Sequence, residues 1–134
     1  MLNKKRLKNL SLLKQKKLLN QKIEISTLNT EYQKNIKNKN KLKDILDKTL
    51  INSTEYAFDI REKSKFKLKL SEQIYISENR EKFLNIELKR AKKNLGKMIK
   101  EKEIIDEKIK VIAQLDKNKL EKRFLDSMPP KKNT

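Results

Sequence analysis

The chain has no cysteine, no histidine and no tryptophan, one glycine and two prolines. Each shortage excludes something. Without Cys there is no disulfide and no sign of an oxidising compartment. Without His and Cys there is no imidazole base, no thiol nucleophile, no zinc cluster and no haem ligation. A single glycine, Gly96, cannot supply a phosphate-cradling loop or a dinucleotide fingerprint. It also makes a turn-rich β fold hard to build, because turns draw on Gly, Pro, Asn and Asp. Only Asn is plentiful here. No apolar run approaches the length of a membrane span. The leucines near the N-terminus are interrupted by Lys14, Lys16 and Lys17, so no secretory signal is recognisable.

Hydrophobic residues make up 35% of the 134 positions and aromatics 5%, against 40% charged. That is too little apolar mass for a wide core and enough for a narrow seam between two helices. The formal net charge is +18. Residues 1–23 hold eight basic side chains and no acidic one. Such a chain suits anionic partners: nucleic acid, lipid headgroups or an acidic protein surface. An excess of Lys, Asn and Ile is also what AT-rich coding accumulates by drift, and part of the charge fits that origin equally well.

The organising stretch is Leu84 to Ile112. Leu84, Ala91, Met98, Ile105 and Ile112 recur every seven residues. Leu88, Leu95 and Ile109 fill the offset positions, and only Lys102 breaks them. This 3-4 spacing makes one apolar stripe on a helix and requires a second helix to cover it. Residues 4–51 supply that helix, with Leu18, Ile25, Tyr32 and Leu46 in one register and Leu28 and Leu42 in the other. Asn35 and Lys39 also fall on its seam, and the Asn-rich zone at 35–41 is expected to fray or bend.

A break is expected at about 51–53. Asn52 is a good N-cap, Glu55 completes a capping box, and Ile51 with Tyr56 can form a hydrophobic staple. A second helix then runs from about Ser53 to about Ser127, stopped by Pro129 and Pro130. Residues 129–134 read as a disordered polar tail. Phe66-Lys67-Leu68-Lys69-Leu70 alternates as a strand would, but has no partner strand, and helix is the better reading. Gly96 costs about 1 kcal/mol in a helix interior; a close approach or a slight bend would justify it. The expected fold is therefore all-α: a single domain, an antiparallel two-helix coiled-coil hairpin with the second helix longer.

A fold at 52–53 sets residue i opposite residue 105 minus i. Leu46 then lies near Asp59, Leu28 near Ser77 and Leu7 near Met98. The second helix overhangs the first by about twenty residues, ~30 Å. The overhang carries Ile104, Ile105, Ile109, Val111, Ile112, Leu115, Leu120, Phe124 and Leu125, an apolar face that another chain would cover. A bend at 63–66 instead would balance the arms and leave no overhang. The basic segment around Lys4, Lys5 and Arg6, with Leu7, Leu10 and Leu13, is the second candidate contact site, suited to an anionic surface or a partner helix. Phe66, Tyr75, Ile76 and Phe83 lie off the main stripe and read as widening the core, with an outward patch as the alternative. Scarce Arg and the lack of a readout motif argue against nucleic acid. Adjacent Asp106 and Glu107 lack the pocket that catalytic carboxylates need.

The start Lys4-Lys5-Arg6-Leu7-Lys8-Asn9-Leu10-Ser11-Leu12-Leu13-Lys14 comes before two long helices. Together with Leu88-Lys89-Arg90-Ala91-Lys92-Lys93-Asn94-Leu95, this layout resembles the FliJ/YscO family of flagellar and virulence type III export. Members usually carry more Glu, Arg and Ala and an acidic C-terminal end, where this chain has Pro129-Pro130-Lys131-Lys132. The resemblance implies a non-enzymatic central stalk, with no catalytic residue, cofactor or small-molecule substrate. It implies as partners a hexameric export ATPase, a membrane export gate and export chaperones. The implied location is cytoplasmic, with peripheral association at the inner membrane as a variant.

Overall fold

The computed structural model describes residues 2–49 and 56–128. Two helices account for nearly all of them: α1, Leu2–Lys48, and the longer α2, Ala57–Ser127. They pack against each other antiparallel, as an all-α hairpin. Neither contains an internal break. The Asn-rich zone of α1 is helical throughout, and so are residues 63–70 of α2.

The 3-4 spacing explains why. In α1 the buried or half-buried positions include Leu18, Gln21, Ile25, Leu28, Tyr32, Asn35, Lys39, Leu42 and Leu46. In α2 they include Leu70, Ile74, Ser77, Glu81, Leu84, Leu88, Ala91, Leu95, Met98, Lys102, Ile105, Ile109 and Ile112. These are the positions that the heptad pattern marks. Such helices are held by packing along the stripe rather than by intrinsic propensity.

The ends differ from expectation at one point. Tyr56 precedes α2, and its carbonyl accepts the first helical bond, from the Ile60 N–H at 3.1 Å. The helix therefore starts at Ala57, not at Ser53. The expected cap and staple at Ile51, Asn52 and Glu55 lie outside the described residues, as does the tail at 129–134. At the end of α1 the Thr49 hydroxyl donates to the Ile45 carbonyl at 2.7 Å. At the end of α2 the Ser127 hydroxyl donates to the Phe124 carbonyl at 2.8 Å. The Ile45 carbonyl also accepts from the Thr49 N–H at 3.1 Å, whereas the Met128 N–H goes to the Leu125 carbonyl at 3.2 Å and leaves the Phe124 carbonyl to the Ser127 hydroxyl. Gly96 has nothing within 4 Å of where a Cβ would stand and no positive φ, so no close approach justifies it.

The chain divides into two units: residues 21–94, and residues 1–20 with 95–134. In the first, Gln21 Nε2 donates to the Ala91 carbonyl at 3.1 Å and Asn35 Nδ2 to the Ser77 carbonyl at 2.8 Å. A fold at 52–53 would have set these amides against Leu84 and Leu70. The register is thus displaced by one heptad from the expected one. The displaced register puts Gln21 and Asn35 against the small residues Ala91 and Ser77, whose carbonyls they can reach. It brings Leu28 level with Leu84 and Leu42 level with Leu70. In the expected register both amides would meet leucines, an uncompensated burial costing about 1–3 kcal/mol each. Leu28 is accordingly one heptad away from Ser77, not opposite it.

Candidate interaction surfaces

The unit formed by residues 1–20 and 95–134 holds most of the residues singled out in the sequence. Its seam is only partly apolar. Leu18 and Ile105 are buried, and Leu7, Leu95, Met98, Ile109 and Ile112 are half-buried. Between them runs a polar ladder. Lys14 Nζ donates to Glu101 Oε2 at 2.7 Å. Ser11 Oγ donates to Asp106 Oδ1 at 2.6 Å, and Lys102 Nζ to Asp106 Oδ2 at 2.6 Å. Lys4 Nζ lies 3.8 Å from Asp116 Oδ2. The bond from Lys14 holds the Glu101 carboxyl below its ordinary range. The bonds from Lys102 and then Ser11 do the same for Asp106. Asp106 is therefore a structural acceptor, taking a bond across the seam from Ser11 and one within α2 from Lys102, the one break in the apolar pattern.

These contacts shorten the overhang. The expected Leu7–Met98 level is replaced by pairs further along α2, and Lys4 still reaches Asp116. Ile105 is buried and Ile109 and Ile112 are half-buried within the unit of residues 1–20 and 95–134, so they are seam residues and not a fully exposed docking face. From Lys117 onward every described residue is exposed. The uncovered end is about eleven helical residues, roughly 16 Å, rather than twenty. Ile104, Leu115, Leu120, Phe124 and Leu125 are exposed. Leu120, Phe124 and Leu125 line one shallow groove with Glu121. Lys117, Lys119, Lys122 and Arg123 surround that end.

The basic N-terminal segment divides similarly. Lys4 is half-buried against Asp116, while Lys5, Arg6 and Lys8 are exposed. Lys4, Lys5, Lys8 and Asp116 line a second shallow depression. Leu10, Leu12 and Leu13 are exposed beside them, whereas Leu7 faces the seam.

In the unit of residues 21–94 the polar seam residues are also paired. Lys39 and Glu81 form a hydrogen-bonded ion pair, which raises the Lys39 pKa above its ordinary value. Lys43 and Glu78 lie 3.5 Å apart, and Arg80 and Glu31 3.6 Å. The expected widening of the core does not occur. Phe66, Tyr75, Ile76 and Phe83 are all exposed. Leu68 and Ile86, which the heptad pattern does not single out, are exposed on the same helix. For Leu68, Tyr75, Ile76, Phe83 and Ile86 the angle relative to the seam positions is the available signal: these five fall on the far side of a 3.6-residue helix. Phe66 lies only about 40° from Leu70 and is exposed all the same.

Among the described residues no cluster of three or more Asp and Glu side chains could hold a metal, and no helix is long and apolar enough to cross a membrane. No family model, no curated protein and no solved structure matches the chain.

Proposed function

We propose that the chain is a non-enzymatic stalk component of a bacterial flagellar or type III protein export apparatus, working by protein–protein contact. The reading places it in an export ATPase ring, touching the export gate or export chaperones from the cytoplasmic side. The observation that carries it is the end of α2: beyond Asp116 the longer helix outruns its partner and presents Leu120, Phe124 and Leu125 amid Lys117, Lys119, Lys122 and Arg123. An uncovered amphipathic end on a hairpin suits insertion into a host protein, and positive charge suits acidic host surfaces. The family resemblance supplies the identity of the host.

The test is to mix the full-length protein with the purified export ATPase encoded in the same genome. A complex on size exclusion that is lost with Leu120→Ser/Phe124→Ser supports the stalk. No complex, or one indifferent to that variant, overturns it. The exposed cluster of Lys5, Arg6 and Lys8 beside Leu10, Leu12 and Leu13 favours a second reading, a basic module on nucleic acid or an anionic membrane. Phosphate binding of that kind weakens log-linearly with salt, whereas docking of the apolar end does not.

A further inference from the structure

The face of α2 turned away from the seam is unexpectedly apolar. Leu68, Tyr75, Ile76, Phe83 and Ile86 are each more than half exposed. At about 100° per residue they fall within an arc of roughly 100° centred opposite Leu70, Ile74, Leu84 and Leu88. The stripe is about 27 Å long and lies wholly within the unit of residues 21–94. Scattered exposed hydrophobics are ordinary; five aligned on the back of one helix form a second seam without a covering helix.

We propose that this stripe docks an amphipathic helix of another protein whose flanking residues are acidic. Three observations select that occupant. The first is charge. Arg61 and Lys65 stand at one end of the arc and Arg90 and Lys93 at the other, all exposed, with Lys65 3.7 Å from Glu62 and Arg90 3.3 Å from Glu87 on the same helix. A second copy, parallel or antiparallel, would therefore bring cation against cation at both ends. An acidic helix meets complementary charge in either direction. The second is the pair of polar residues inside the arc. Glu72 and Asn79, seven residues apart and exposed, interrupt the apolar side chains. Sinking them into lipid would strand a carboxylate and an amide without partners. A protein helix can answer them with polar groups at matching levels, as Ser77 and Ala91 answer Asn35 and Gln21 across the existing seam. The third is geometry: a stripe of this length and spacing fits about three heptads of helix. The proposal does not depend on the export reading or on the C-terminal end of α2.

The test uses the full-length protein at physiological salt and two synthetic three-heptad peptides with the same Leu/Ile seam, one flanked by Glu and the other by Lys. Fluorescence anisotropy should show saturable binding of the Glu-flanked peptide, at least about tenfold tighter than the Lys-flanked one. Ile76→Ser/Phe83→Ser, which alters no charge and no seam residue, should keep the helical circular dichroism and weaken that binding by about tenfold or more. Leu120→Ser/Phe124→Ser should leave it within about twofold, which separates this site from the one proposed above. The idea is overturned by absent binding, by equal binding of the two peptides, or by loss only in the C-terminal variant. It is equally overturned if Ile76→Ser/Phe83→Ser instead abolishes concentration-dependent self-association or flotation with phosphatidylserine vesicles.

Discussion

The two units carry the same 3-4 repeat and use it differently. In residues 21–94 the seam is closed by Leu70, Ile74, Leu84, Leu88 and Ala91, all buried, with two amides bonded to backbone carbonyls. In residues 1–20 with 95–134 only Leu18 and Ile105 are buried hydrophobics among the described residues, and carboxylates take up the donors Ser11, Lys14 and Lys102. The first interface rests on desolvated hydrocarbon and neutral hydrogen bonds. The second rests in larger part on charge, which water and salt weaken. A repeat thus says where two helices touch and leaves open what holds them there.

The contrast can be broken most forcefully at Leu84, which is 2% exposed. Leu84→Ala should cost about 2–5 kcal/mol through lost transfer energy and an unfilled cavity. Urea unfolding followed by circular dichroism should show it, whereas Leu115→Ala in the other unit, at an exposed site, should fall within about 0.5 kcal/mol.

A smaller effect with a distinct signature belongs to the amides. Gln21→Leu/Asn35→Leu should raise stability by about 1–2 kcal/mol and loosen the choice of register. Distances between spin labels on exposed positions of the two helices should then split into two populations one heptad apart. A single unchanged distance would deny these residues their selecting role.

Gly96→Ala sharpens the comparison from the weaker side. The site is helical and open, so a methyl group should add about 0.5–1 kcal/mol by restricting the unfolded chain. Slower amide exchange should appear in residues 95–112.

The smallest effect should come from acid. Glu101 and Asp106 titrate below their ordinary values in the folded chain. Their ladder therefore contributes fully above the unfolded carboxylate values, about 4, and its contribution is lost as pH falls through the depressed folded values. Amide exchange in residues 3–18, corrected for the intrinsic pH dependence of the exchange reaction, should accelerate on acidification before that in residues 21–46. Asp106→Asn should remove most of the difference. Lys39 works with the opposite sign: its raised value makes the Glu81 pair hold at neutral pH and fail only as pH climbs past the ordinary lysine range.

Much of the fold is legible in the chain because periodicity is local. Spacing alone places Leu84, Leu88, Ala91 and Ile105 on the seam, with Asn35 and Lys39 on the facing helix, and all six are buried or half-buried. The candidate site is legible only in part. Leu120 and Phe124 are exposed as expected, but Ile105 is buried and Ile109 and Ile112 are half-buried. Size suggests Phe66, Tyr75, Ile76 and Phe83 for the core, yet the helical angle of Tyr75, Ile76 and Phe83 points them away from it, and Phe66 is exposed although it lies only about 40° from Leu70.

Chain chemistry alone determined that two helices form, which stripe each buries, and that the second stops short of Pro129. Tertiary contact decided how far one helix slides along the other. A seven-residue repeat looks the same after a shift of seven, so apolar spacing cannot fix that choice. It falls to the few residues that do not repeat, Gln21 against Ala91 and Asn35 against Ser77, which find acceptors in one register and leucines in the other. How far the seam covers the end of α2 follows from that selection.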